Sequence, residues 1–131
     1  EETDTLTVDE LIAIRSLCPS LNVMEGLGNC MDSKEFWLDT LNGFLESDKM
    51  EALCAAYDQR DIKNYRIHVH SIKSAAKTVG ADVLSEQAKL LEAAAREGNR
   101  DFITAHHFEL TAAHEKLKEE IKGVLALCEK S

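Results

Sequence analysis

Apolar side chains return along this chain at helical intervals, and no stretch alternates as a half-buried strand does. The clearest pattern lies at 62–79, where Ile62, Tyr65, Val69, Ile72, Ala76 and Val79 recur at steps of 3 and 4. Such spacing draws one narrow stripe turned toward a bundle core. Asp61 is placed to cap this helix, and Gly80 to close it in the left-handed conformation. A second helix starts at Asp82 with Leu84, Ala88, Leu91 and Ala95 inward, and Glu97-Gly98-Asn99 ends it and caps the next. The last helix covers about 100–127, with Ile103, Leu110, Leu117, Ile121 and Val124 on its seam. The links at 80–82 and 98–99 are short enough to force antiparallel neighbours.

The first half of the chain is more broken. Residues 1–6 read as a frayed tail. Thr7-Val8-Asp9-Glu10 has the form of a capping box, and a short helix over 8–17 follows, ended by Cys18-Pro19. Asn22 caps a further turn through Met24 and Leu27, with Gly26 to Gly28 as its stop. Asp32-Ser33-Lys34-Glu35 forms a second box ahead of Phe36, Trp37, Leu41, Phe44 and Leu45. The seam then slips to Met50, Leu53, Cys54 and Tyr57 behind a third box, Asp48-Lys49-Met50-Glu51. Either two helices, 33–46 and 49–59, or one long bent helix satisfies this pattern. The expected architecture is all-α: a single domain over 1–131, an antiparallel four-helix bundle at 33–127 preceded by one or two short helices within 8–31.

Composition agrees with helix and narrows function. Aromatics are 5% of the 131 residues and there is one Pro, while Ala, Leu, Glu and Lys are abundant. The net charge of −9 argues against a nucleic-acid partner or an anionic membrane for the surface as a whole. No run of about 18 apolar residues and no signal peptide is present, so a soluble, cytoplasmic domain without direct membrane contact is expected. Cys18, Cys30, Cys54 and Cys128 show no CxxC spacing and read as scattered, mostly buried thiols. The chain has no phosphate-cradling Gly-rich loop, GxSxG or HExxH, and its clustered carboxylates fall on expected solvent faces or helix starts.

Five histidines remain. His68/His70 and His106/His107 are too close in sequence to share a helical face, which makes them poor metal pairs. His107 and His114, seven apart on the last seam, read as boundary packing groups, with a small metal-binding bundle as the alternative. On a wheel of the 62–79 helix, His68 falls on the flank of the seam and His70 about 130° from its centre, in solvent. Lys63, Arg66, Ile67, Lys73, Ser74 and Lys77 share the His70 side. The segment 61–80 carries +3 while the rest of the chain carries −12. A basic face, an exposed Ile67 one turn before the histidine and a small Ser74 one turn after it fit an acidic partner docking while a phosphoryl group visits His70. Neutral imidazole is a nucleophile at pH 7, and nearby cations offset phosphoryl charge. On the wheel alone, ordinary solubilising cations around a surface histidine are the favoured reading.

The stretch His70-Ser71-Ile72-Lys73-Ser74-Ala75-Ala76-Lys77-Thr78-Val79-Gly80-Ala81 resembles the signature of histidine-containing phosphotransfer (HPt) domains. In that pattern Lys follows the phosphoacceptor His by three residues, a small residue by four and Gly by ten. Leu84, Leu90-Leu91-Glu92 and Gly98 resemble the following helix and its turn, and Phe36 to Leu45 with Met50 to Tyr57 resemble the preceding helix or helix pair. The likeness covers roughly 22–127. It implies that His70 is phosphorylated on a ring nitrogen, that Lys73 holds phosphate oxygens or tunes the ring, that Ser74 leaves room for the partner and that Gly80 turns the chain. Ser at position 74 departs mildly from the commoner Gly. Docking through Lys63, Arg66, Ile67 and Lys77 rests on the wheel and not on the family pattern.

The resemblance further implies response-regulator receiver domains as partners. They bring the acidic pocket, the Mg²⁺ and most of the catalysis, so this chain is expected to be a phosphocarrier with no cofactor or metal of its own, and not an enzyme. A monomer is expected because the seam of the long last helix is already used by packing within the chain. A place within a bacterial-type hybrid sensor histidine kinase is implied. The alternatives are the phosphotransfer domain of a chemotaxis-type kinase and a plain helical interaction module without phosphochemistry.

Overall fold

The computed structural model describes residues 4–129. Among them are seven helices: α1 (Val8–Leu17), α2 (Val23–Asn29), α3 (Lys34–Glu46), α4 (Met50–Asp58), α5 (Ile62–Val79), α6 (Asp82–Glu97) and α7 (Arg100–Glu129). No strand is present among the described residues. The expected all-α bundle with two short helices in front is what the chain builds. α3 and α4 follow one another against α5, α5 packs along α6, α6 along α7, and α3 closes onto α7. α1 lies on α7 and α2 on α5.

The bundle's interior is made by the stripes read above. Trp37, Leu41, Leu53, Tyr65, Val69, Leu91, Leu110, Leu117 and Ile121 are buried almost completely. Each large aliphatic side chain so removed from water contributes about 1.5–3 kcal/mol before chain entropy is counted. Gly80 and Gly98 take the left-handed conformation, at φ 93° and 73°, and close α5 and α6. Asp61 and Asn99 each accept a backbone N–H in the first turn of the helix they precede. Thr7 and Glu10 form the reciprocal capping box.

Four local expectations change. The tail does not fray throughout: Asp4 accepts the Glu35 backbone N–H at 3.0 Å and the Ser33 hydroxyl, and its carbonyl accepts from Lys34, while Leu6 packs against the core. The remainder of the expected tail, 1–3, lies outside the described residues. The box at 32–35 is out of register by one residue. Asp32 sits at φ 57°, and its N–H donates to Leu27 O at 2.7 Å, so it closes α2. Ser33 therefore caps α3 through Phe36 N–H. The box at 48–51 is absent: Asp48 instead accepts Met50 N–H at 2.8 Å and pairs with Lys118 at 2.7 Å. That contact breaks the chain into two helices and ties the break to α7.

The fourth change concerns α2, which runs through Gly26 and Gly28 instead of stopping there. Gly26 is needed for closeness. A Cβ on it would stand 2.4 Å from Val79 O and 2.7 Å from Trp37 Nε1. Asn22 N–H donates to Gly80 O at 2.7 Å, and Asn29 Nδ2 donates to Lys77 O and Thr78 O at 3.1 and 3.3 Å. The short helix thus satisfies the carbonyls that end α5, which otherwise lack intrahelical partners.

Candidate functional site

α5 and α6 form a hairpin about Gly80 and Ala81, and this sets the site. The inward stripe of α5 holds Val69 and Ile72 in the core, so His70 lies on the outer side with 57% of its side chain exposed. The hairpin brings Glu92 of α6 beside it. Glu92 is buried, with 8% of its side chain exposed, and its Oε2 lies 2.7 Å from His70 Nδ1. The other carboxylate oxygen accepts from Lys73 Nζ at 2.6 Å, and Arg96 approaches Oε2 at 3.5 Å.

Burial pushes the Glu92 carboxyl up, but the hydrogen bonds from Lys73 and His70 outweigh it and hold the group below its usual value. An ionised carboxylate only accepts, so Nδ1 of the ring must carry the proton. The neutral ring then keeps its lone pair on Nε2, the nitrogen left without a hydrogen-bond partner among the described residues. A buried carboxylate thereby fixes both the tautomer and the ring plane of an exposed imidazole.

The other singled-out residues divide. Ser74 is exposed one turn beyond His70, and Lys63, Arg66, Lys77 and Ile67 (49% exposed) stand on the same open side. Lys73 does not join them as a free surface cation: it is 27% exposed and committed to Glu92. His68 is half-buried on the flank of the stripe. Asn29, Lys73, Ser74, Lys77, Thr78, Ser85, Glu86 and Lys89 line an open groove that runs from the site toward α2. Glu92 was missed as a functional residue, because an acidic residue in a helix reads as solvated. A signal existed: His70 and Glu92 each lie 11 residues from Ala81, opposite one another in an antiparallel hairpin.

His107 and His114 belong to the interior and not to this site. His107 stacks on Tyr57 with ring centroids 3.9 Å apart, with Nδ1 2.9 Å from the Tyr65 hydroxyl. His114 lies against Phe44. No group of three metal-ligating side chains is assembled among the described residues. Cys18, Cys30 and Cys54 are free thiols, with Cys18 and Cys30 buried.

The family model for the Hpt domain matches residues 45–126. The chain belongs to the Hpt domain family. Comparison with curated proteins and with solved structures gave no match. The matched span holds α4 to α6 entire and nearly all of α7, and so contains His70, Lys73, Glu92 and Arg96. An Hpt domain is a histidine-containing phosphotransfer module of phosphorelays, a carrier that works with receiver domains. No helix of this Hpt domain is long and apolar enough among the described residues to cross a membrane.

Proposed function

We propose that the chain is a phosphocarrier in a His-Asp phosphorelay, and that His70 accepts the phosphoryl group on Nε2. The observation that supports this reading is the division of labour on one ring: Nδ1 is held by buried Glu92, while the side chain is 57% exposed and Nε2 has no hydrogen-bond partner among the described residues. In the forward step the Nε2 lone pair attacks phosphorus of a receiver's aspartyl phosphate. The bond from phosphorus to the carboxylate oxygen breaks, and the aspartate leaves with that electron pair. The ring gains positive charge, and Glu92 stabilises it through the Nδ1 proton without taking that proton. A second receiver's aspartate reverses the step. Lys73, locked to Glu92, keeps the carboxylate ionised and aimed, while Arg96 adds positive charge beside the same carboxylate.

Ser74 leaves the approach to Nε2 unobstructed, and Gly80 holds the hairpin that sets Glu92 opposite the ring. The exposed Lys63, Arg66, Ile67 and Lys77 are the proposed docking face. The reading includes a cytoplasmic location, a monomeric state and a place in a hybrid sensor kinase relay. The test is incubation with a phosphorylated receiver domain, followed by assay of acid-labile phosphate. Label is expected in the wild type and in His68→Ala, and none in His70→Ala. Equal labelling of His70→Ala overturns the assignment.

A further inference from the structure

The family match begins at residue 45, so α2 lies ahead of it. Yet α2 supplies one end of the groove that leaves the phosphotransfer site. Asn29 stands there, facing Ser74, Lys77 and Thr78 of α5 and Glu86 and Lys89 of α6. Its amide nitrogen is spent on the last carbonyls of α5, and the Gly26 approach to Val79 holds the helix at a fixed distance. The end wall is therefore rigid with respect to His70. Cations outnumber the single glutamate in this groove, on a chain whose net charge is −9. Exposed cations on an otherwise acidic protein steer and select an anionic partner surface.

We infer that this groove is the specificity cleft of the domain: it receives a carboxylate-bearing segment of a receiver domain beside that receiver's phosphorylation site, and α2, through Asn29, sets how far the segment can enter. The inference rests on the phosphocarrier reading and adds the residues that choose among partners. Lys77 of α5 and Lys89 of α6 both line the groove and attract the segment. Asn29 closes the end. A receiver with a neutral or basic segment there is disfavoured by charge, and one with a bulky segment is disfavoured by the wall.

The test uses the full chain and a panel of phosphorylated receiver domains differing in charge beside the phosphorylation site. Phosphoramidate, a small donor with no surface to dock, reports the chemistry at His70 separately. Lys89→Glu is expected to slow transfer from acidic receivers at least tenfold and to flatten its salt dependence. Asn29→Arg, which projects bulk into the groove, is expected to reorder the panel. Circular dichroism and urea unfolding on each variant establish that the fold is kept, and Thr78→Arg serves as a second groove-filling change if Asn29→Arg destabilises α2. Unchanged rates and ranking for Lys89→Glu and the groove-filling variant overturn the inference while leaving His70 labelling intact. Equal loss with phosphoramidate and with receivers also overturns it, since Lys89 then acts on the chemistry. Absence of label on His70 from every donor in the wild type removes the underlying reading instead.

Discussion

His70 on α5 and His107 on α7 each have Nδ1 engaged within the chain, yet their rings face different media. The partner of His70 is a buried carboxylate, and the side chain is 57% exposed with no hydrogen-bond partner for Nε2 among the described residues. The partner of His107 is the Tyr65 hydroxyl, and the residue is 1% exposed. Its Nε2 lies 3.8 Å from Cys54 Sγ, so either tautomer aims its lone pair at a neighbour in the interior. A hydrogen bond on one ring nitrogen orients both histidines, but only exposure of the other nitrogen makes a nucleophile. The partner matters too: a carboxylate stabilises positive charge on an imidazole, and a neutral phenol does so far less.

Substituting the two residues should dissociate chemistry from stability. His70→Ala is expected to lose all label while its unfolding midpoint moves little, because the side chain is mostly solvent-exposed. His107→Ala is expected to keep the label and to lose about 2–4 kcal/mol, from the cavity and the orphaned Tyr65 hydroxyl. Urea unfolding monitored by circular dichroism, run beside the labelling assay, checks both. A His107→Ala protein that folds normally but takes no label would break the contrast.

Glu92 offers a finer test, since it is what distinguishes the exposed ring from any other surface histidine. Glu92→Ala leaves Nδ1 and Lys73 without their acceptor, and transfer to His70 is expected to fall by about 10–100-fold, by analogy with loss of the group that orients a metal-bound histidine. Glu92→Gln keeps an acceptor oxygen but removes the charge, and should fall between Ala and wild type. Single-turnover rates with one phosphorylated receiver rank the three. If Gln matches Ala, the charge and not the orientation governs the step.

The contrast between the rings was partly legible in the sequence. Steps of 3 and 4 in the stripe of α5 fix which residues point inward, so His70 had to face out and His68 had to sit on a flank. The α7 seam at 103, 110, 117, 121 and 124 likewise carried His107 and His114 into the core. Glu92 was not legible from its own helix, because its burial depends on Lys73 and His70 of the neighbouring one. Gly26 misled for the same reason: glycine reads as a helix stop, whereas here it permits the approach of Val79. Asp32 failed by one residue, because the end of α2 claims it in a left-handed conformation before α3 can use it as a cap. Contacts between elements far apart in sequence decide such positions, and periodicity within one element does not encode them.

The smallest expected effect is one of pH. Burial lowers the pKa of His107 below the ordinary 6.5, against the opposing pull of Asp58. Burial lowers His114 likewise; Asp48 opposes it, Lys118 adds to it and Glu115 opposes it. The unfolded chain therefore takes up protons first as pH falls through about 6.5, and the folded chain follows only at lower pH. Stability from these two residues is complete above that value and declines below it, by up to about 1.4 kcal/mol per pH unit for each proton. Between pH 6.5 and 5.5 this decline precedes that from Asp48 and Glu92, whose lowered values place their contributions in the carboxylate range. Urea midpoints at pH 7.5, 6.5 and 5.5 should fall across the last interval. His107→Phe should lessen the slope there while leaving transfer to His70 unchanged at neutral pH. An identical slope in His107→Phe would show that this ring carries its charge inside the folded bundle, and the distinction between the interior and the exposed histidine would then rest on geometry alone.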